Sequence, residues 1–387
     1  VFAVQPDEQK PQLEEGVWKA EGYKLEGPFY AVEVSPVTGG IVSLYDKIRR
    51  KELADAASPY HLNQCLYLSG EVEHTPQSAS VEIGPCGPVF GQLIVRAALK
   101  NTQVTTTITL YANLDRVDIR NEVEKLPTTE KQELDFAFPF HVPGRQYRFE
   151  APGVIVTPGP DQRPGAGQAV TAIRHFVDVF NDEFGVTLSQ ADSGLVEFGH
   201  RTTAEDPLEP DPSNSTVLAL ALENCIDWHE AVRDQAGVTH FVFRYGLRGH
   251  AGGFDPAAAV RFGWEDNNEL LAIPLPAGEK GDGPTEPSGR GLAEVLPADM
   301  HSFVQATPGN VVLTGVKVAE EDGLIARLWE CAGQDVMASV HTSGLGPLRA
   351  ARQTDLLERD GEALTVADGQ VTVPVRARGL ATVRFLL

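Results

Sequence analysis

The sequence predicts an all-β protein made of large, packed antiparallel sheets. Three observations carry this. Strand-like segments recur from one end of the 387 residues to the other. Several of them, such as "QVTTTITLYA" and "VTVPVRA", alternate apolar and polar residues with the two-residue period of a sheet covered on one face. Helical periodicity is scarce, and Gly, Pro, Asn or Asp fills most gaps between the apolar runs.

Taken in order, "FYAVEVSP" (29–36) reads as a first strand, and "VTGGIVSLYDK" (37–47) as a hairpin tip with paired glycines, a returning strand and a charged turn. "HLNQCLYL" (61–68) fits helix or strand. "SVEIGPCGPVFGQLIVRAALK" (80–100), "QVTTTITLYANLDRVDIRNEVE" (103–124) and "LDFAFPFHV" (134–142) read as strands and hairpins. So do "STVLALALE" (215–223) and "VTHFVFRYGLR" (238–248). "DPAAAVRFGWEDNNELL" (255–271) holds one short helix. "NVVLTGVKV", "LIARLWECA" and "VTVPVRARGLATVRFLL" then supply strands to the C-terminus.

Two stretches break the pattern. Residues 274–300, "PLPAGEKGDGPTEPSGRGLAEVLPADM", are rich in Gly, Pro and charge and predict an exposed linker. Residues 301–387 beyond it suit a small β-sandwich. The polar, Pro-rich loop 199–216 reads as a surface excursion of the larger unit.

The net charge of −22 argues against nucleic acid or an anionic membrane surface as partner, since both need basic patches. Cys65, Cys86, Cys225 and Cys331 are far apart, which indicates neither a structural zinc site nor a disulfide framework. No apolar run reaches spanning length and no leader is present, so the expected location is the cytoplasm. The missing initiator Met suggests an excised piece of a longer chain, although processing would look the same.

No GxSxG, P-loop, GxGxxG or HExxH motif occurs. The loop 158–170 can present an acid, an amide and a guanidinium (Asp161, Gln162, Arg163) to sugar hydroxyls, although an ordinary solvent loop is the commoner case. His141, His175 and His240 lie in strand-like segments, where a histidine is more often structural than a general acid or base. Trp264, in "GWEDNN", could stack on a sugar, but packed Trp is commoner. With 54 acidic residues, no pair can be singled out for glycoside chemistry.

A resemblance adds to these readings. "YAVEVSPVTGGIVSLYDKIRRKEL" resembles the start of the large β-domain of glycoside hydrolase family 38 α-mannosidases. "ANLDRVDIRNEVE", "KQELDFAFPFHV", "IRHFVDVFNDEFGVTLSQADSGLVEFG" and "THFVFRYGLRGHAGGF" resemble later segments of that domain, in order. "VVLTGVKVAEEDGLIARLWECAG" and "GLATVRFLL" resemble the family's smaller C-terminal sandwich. The resemblance implies a large antiparallel supersandwich of the galactose-mutarotase type (23–273), the linker, and a small C-terminal β-sandwich (301–387). Residues 1–22 would be a tether from a preceding region.

It also implies the function: a non-catalytic β region of a zinc-dependent α-mannosidase. The catalytic residues and the zinc would lie in an N-terminal half outside these residues, so this chain would carry no metal and would be inactive alone. Its expected partners are that catalytic half and an α-mannoside or related carbohydrate. The family often directs at its active site the loop corresponding to "HLNQCLYLSGEVEH", which makes Asn63, Gln64 and Tyr67 candidate sugar contacts beside Asp161, Gln162 and Arg163. The Trp-rich continuation of many members is missing after Tyr67, and His175 stands where an aromatic or glutamine is usual. Two alternatives remain: a free-standing carbohydrate-binding module, and a mutarotase or epimerase, which needs a His and a Glu converging on a sugar.

Overall fold

The computed structural model describes residues 17–70, 72–128, 130–165, 170–199, 201, 214–224, 237–271, 302–342 and 347–387. The 274–300 linker, most of the tether and of the 199–216 loop, and Cys225 lie outside the described residues. The chain divides into two compact units, 11–267 and 268–387, with residues 1–10 grouped with the second.

The larger unit opens with a five-stranded sheet in sequential order, Lys19–Glu21, Lys24–Glu26, Tyr30–Val34, Ile41–Asp46 and Lys51–Glu52. The expected first hairpin is here, with Val34 opposite Ile41 and Gly39 in the left-handed region (φ +73°) that its turn requires. A nine-stranded antiparallel sheet follows. Across it run Val154–Val156, Gln146–Ala151, Phe176–Phe180, Phe184–Gln190, His240–Ala251, Val117–Lys125, Thr102–Tyr111, Phe90–Leu99 and Ala79–Cys86. A six-stranded sheet runs Thr171–Ala172, Leu195–Phe198, Thr216–Asn224, Gln132–Pro139, Gln64–Ser69 and Val72–His74. The ambiguous segment 61–68 thus resolves as strand, because Gln64–Ser69 pairs with Gln132–Pro139 and buries Cys65 and Tyr67 in the core.

The period-2 pattern builds that core. Val104, Ile108, Ile119 and Val123 point inward from the nine-stranded sheet, and Leu134, Phe136, Phe138 and Val217 from the six-stranded one. Aromatic pairs join the two: Phe136 with Phe243 at 6.1 Å, Phe138 with Tyr245 at 5.0 Å, and Tyr147 with Phe198 at 5.3 Å between ring centres. Each buried aromatic contributes about 1.5–3 kcal/mol by removal from water.

On the outer face of the nine-stranded sheet lies the helix Pro256–Asn267. Its start is set by Asp255, whose Oδ1 accepts the N–H groups of Ala257 (2.9 Å) and Ala258 (3.1 Å), with Pro256 in the first turn, where its missing N–H costs nothing. Asn267 closes the other end, its Nδ2 donating to Gly263 O (2.7 Å) and Ser189 Oγ (3.0 Å). Ala259, Val260, Phe262 and Gly263 are its buried residues. A side chain at Gly263 would come within 3.1 Å of His175 and Phe176, so the glycine permits the close approach.

The smaller unit is one eight-stranded antiparallel sheet folded over a core. Its order is Gln305–Thr307, Val336–His341, Gln370–Val375, Asp360–Ala367, Ala350–Thr354, Leu380–Leu386, Leu324–Glu330 and Val311–Val318. Asp360–Ala367 pairs on both sides and makes the fold-over, and Leu328, Val340, Val373, Val383 and Phe385 fill the interior. The all-β class is therefore as expected: a large antiparallel sandwich followed by a smaller one.

Candidate functional site

Among the described residues of the larger unit, a cavity of about 430 Å³ lies beside the N-terminal half of the helix. Its floor is the outer face of the Phe176–Phe180, Phe184–Gln190 and His240–Ala251 strands, which supply Asp178, Thr187, Arg248 and His250. The turn after Ile41–Asp46 supplies Ile48 and Arg49, the strand Lys51–Glu52 supplies Lys51, and the helix supplies Ala258 and Phe262.

Its polar groups form a chain. The Thr187 hydroxyl donates to Asp178 Oδ2 (2.6 Å), and His250 Nε2 faces Asp178 Oδ1 at 3.2 Å. A carboxylate only accepts, so the ring nitrogen facing it carries the proton. Asp178 is 1 % exposed. Gly185 makes room for the imidazole, since a Cβ there would lie 2.4 Å from Nε2. Arg49 grips Asp115 with both terminal nitrogens (2.9 and 2.6 Å) and also reaches Asp46 Oδ2 at 3.1 Å. Lys51 pairs with Glu183 at 3.1 Å and sits 4.6 Å over the Phe184 ring. Arg248 is exposed and has no ion pair or side-chain hydrogen bond among the described residues.

A second polar cluster is closed. Arg201 donates through Nε to Asp135 Oδ2 (2.5 Å) and Glu133 Oε1 (3.1 Å) and through Nη1 to Glu73 Oε2 (3.1 Å), which also accepts from Tyr60 OH at 2.8 Å. Glu133 and Asp135 are fully buried neighbours on one strand face. Burial, then the adjacent Asp135 charge, pushes the Glu133 carboxyl far above the usual carboxylate range, so the fold favours its protonated form. One guanidinium thus clamps residues from the Gln132–Pro139 and Val72–His74 strands.

The histidines singled out in the sequence each meet a carboxylate. His175 Nδ1 lies 2.9 Å from Glu150 Oε2, while Trp264 Nε1 donates to Glu150 Oε1 at 3.1 Å and its ring stands edge-on to His175 at 5.1 Å. This is the His and Glu pairing an epimerase would need, but the helix tryptophan lies against it and both residues are buried. Trp264 is accordingly a packed residue. His240 bonds Glu124 at 2.6 Å on the surface, and His141 stands 3.8 Å from Asp55.

The six candidate sugar contacts fall in two separate places. Asn63, Gln64 and Tyr67 are buried, and the segment carrying them is a hairpin of strands Gln64–Ser69 and Val72–His74. Asn63 exchanges amide bonds with Asn121, Gln64 Oε1 accepts the His61 N–H (2.9 Å), and Tyr67 OH donates to Gln132 Oε1 (2.5 Å). Asp161 and Gln162 fasten their own turn, accepting the N–H groups of Thr157 (2.7 Å) and Gly159 (2.8 Å), and Arg163 is exposed. Sequence reading missed Arg248 and His250. The signal was present in "YGLRGHA", where period 2 puts Gly246, Arg248 and His250 on one face.

Among the described residues no group of three or more His, Cys, Asp or Glu could hold a metal ion, and no helix is long and apolar enough to cross a membrane. Cys65, Cys86 and Cys331 are thiols outside any disulfide.

Comparison with known proteins fixes the class. A family model described as the glycosyl hydrolases family 38 C-terminal domain matches residues 25–194, and one described as that family's C-terminal beta sandwich domain matches residues 310–383. The fold is similar to the crystal structure of an alpha-mannosidase from Enterococcus faecalis V583, with 15 % identity, a TM-score of 0.70, and coverage of 96 % of this chain and 43 % of that one. It is similar to a glycosyl hydrolase family 38 protein from Enterococcus faecalis at 15 % identity and a TM-score of 0.70, covering 97 % and 46 % of the two chains. A putative aldose 1-epimerase from Escherichia coli K12 aligns at 10 % identity and a TM-score of 0.37, over 59 % of this chain and 98 % of that one. No curated protein matches the chain in sequence. The two family matches define the class as C-terminal β domains of a glycosyl hydrolase family. The chain belongs to glycosyl hydrolase family 38, of which it holds the C-terminal domains. It spans less than half the length of the two Enterococcus structures.

Proposed function

We propose that this chain is the non-catalytic β region of an α-mannosidase, which supports a zinc-dependent catalytic half of the same polypeptide and helps to shape its sugar site. The observation that carries this reading is the order of the two family matches, the large C-terminal domain at 25–194 and the small sandwich at 310–383. The fold's likeness to an alpha-mannosidase over 96 % of the chain supports it. The proposed organisation is the large unit at 23–273, a linker at 274–300 and the small sandwich at 301–387.

In this role the six candidate residues divide. Asn63, Gln64 and Tyr67 hold the hairpin and core in place, since their polar groups are already hydrogen-bonded inside the fold. Arg163 is the group free to reach a sugar or the catalytic half, on a turn that Asp161 and Gln162 stiffen.

The test compares this chain with the longer polypeptide read from the coding sequence upstream of Val1. Hydrolysis of an aryl α-mannoside is measured for both, with and without zinc. The expected result is zinc-dependent turnover by the longer polypeptide and none by this chain. Turnover by this chain alone, or none by a folded longer polypeptide on any α-mannoside, would overturn the reading.

A further inference from the structure

The cavity beside the helix is assigned to no role by family membership, and its chemistry selects one kind of ligand. Its volume of about 430 Å³ falls in the range of roughly 300–1,000 Å³ typical of small-molecule sites. Each of its carboxylates has a partner: Asp178 accepts from Thr187 and His250, Glu183 from Lys51, and Asp255 from the N–H groups that start the helix. Donors remain. Arg248 has no partner among the described residues, and the Lys51 ammonium has three donors of which one meets Glu183.

A neutral sugar would want an open aromatic face, and neither ring here provides one. Phe184 has the Lys51 ammonium over it at 4.6 Å, Phe262 has the Arg116 guanidinium over it at 5.3 Å, and both rings are buried.

We propose that this cavity binds a small anion, a phosphate free or carried on a sugar, with the Arg248 fork as its principal contact and Lys51 as the second charge. His250, held by Asp178, forms the adjacent wall. The proposal goes beyond the mannosidase reading and does not depend on it.

The test is isothermal titration of the whole chain in phosphate-free buffer at low salt, using inorganic phosphate, a hexose 6-phosphate and the unphosphorylated hexose as probes. At least one phosphate probe is expected to bind saturably, and the hexose at least tenfold more weakly. The tighter of the two phosphate probes identifies the source of the anion. Arg248→Ala should weaken that binding about tenfold or more, a difference of about 1.4 kcal/mol, while Arg248→Lys retains part of it. Because Arg248 is exposed, the melting temperature should not change, which separates lost binding from lost folding. Arg376→Ala, an exposed arginine of the smaller unit, should leave binding intact. Absence of saturable phosphate binding, equal binding of the hexose, or an Arg248→Ala variant that binds like the parent would each overturn the proposal, as would equal losses in the Arg376→Ala and Arg248→Ala variants.

Discussion

Asn63 and Asn121 exchange amide hydrogen bonds across the core of the larger unit, Nδ2 to Oδ1 at 3.0 Å in one direction and 2.8 Å in the other. Asn63 precedes a strand of the six-stranded sheet and Asn121 lies within the nine-stranded one, so the pair is a polar rivet between two apolar faces. The Thr106 hydroxyl also donates to Asn121 Oδ1 at 2.6 Å. Asn63 has φ +55°, a conformation that asparagine tolerates better than most residues.

Asn121→Leu should therefore destabilise by about 2–4 kcal/mol, because it strands the Asn63 amide and the Thr106 hydroxyl in a dry core. Asn63→Gly should cost less than Asn63→Ala by about 1 kcal/mol, since glycine keeps the left-handed backbone. Urea unfolding of the three variants measures both. Equal effects of Gly and Ala would show that the backbone contributes nothing at this position.

Glu133 ties stability to pH. Its carboxyl is pushed far above the ordinary 4.5 in the fold, by burial first and Asp135 second. Above pH 4.5 the unfolded chain loses the proton that the folded chain keeps. Stability from this group is full below pH 4.5 and declines as pH rises above it. Glu133→Gln keeps a neutral donor facing Asp135 and removes the titration. The variant should gain on the parent as pH goes from 5 to 9 in urea unfolding, and parallel pH profiles would rule the effect out.

Lys125 works in the opposite sense. It is 1 % exposed, with its ammonium 5.7 Å over the Tyr67 ring, and burial lowers its pKa from 10.5 to about 8. Below pH 8 both states are charged and the fold bears the whole desolvation cost. As pH rises from 8 to 10.5 that cost fades. Lys125→Met should thus stabilise by about 1–2 kcal/mol at pH 7, with a smaller gain near pH 10. Thermal unfolding at the two pH values tests it, and a gain that grows with pH would contradict the sign.

Local pattern made most of the fold legible. The alternation in "QVTTTITLYA" predicted Thr102–Tyr111, and the one short helix expected within 255–271 is Pro256–Asn267, whose N-cap is Asp255. The segment 61–68 resisted because Gln64–Ser69 is buried along nearly its whole length, so it shows a continuous apolar run in place of alternation. The polar sites were not legible, because their partners are joined by strand register. Asp178 and His250 are 72 residues apart, and Arg201 reaches Glu133 across 68. Asn63, Gln64 and Tyr67 became candidates through the family resemblance, which marks their segment as a loop but does not say which of its side chains face outward. What decides exposure is whether each group finds a partner inside, and all three do.

Gly185 lies close beneath His250 in the strand next to it. A methyl group at Gly185 would fall 2.4 Å from His250 Nε2 and 2.6 Å from Phe180 Cβ. The imidazole can swing away, but the Phe180 Cβ is fixed to its strand, so Gly185→Ala must both displace His250 and shift backbone. The expected cost is about 1–3 kcal/mol, in the range of overpacked interiors. Part of it comes from His250, whose departure also leaves Asp178 with the Thr187 hydroxyl alone. Truncating the ring relieves that part, so the Gly185→Ala/His250→Ala double variant should be less destabilised than the sum of the two single variants. The coupling should be at least about 0.5 kcal/mol, the threshold above which neighbouring residues are distinguished from independent ones. A urea double-mutant cycle measures it. Additive costs would mean that Phe180 alone opposes the methyl group and that His250 is free to leave Asp178 without penalty.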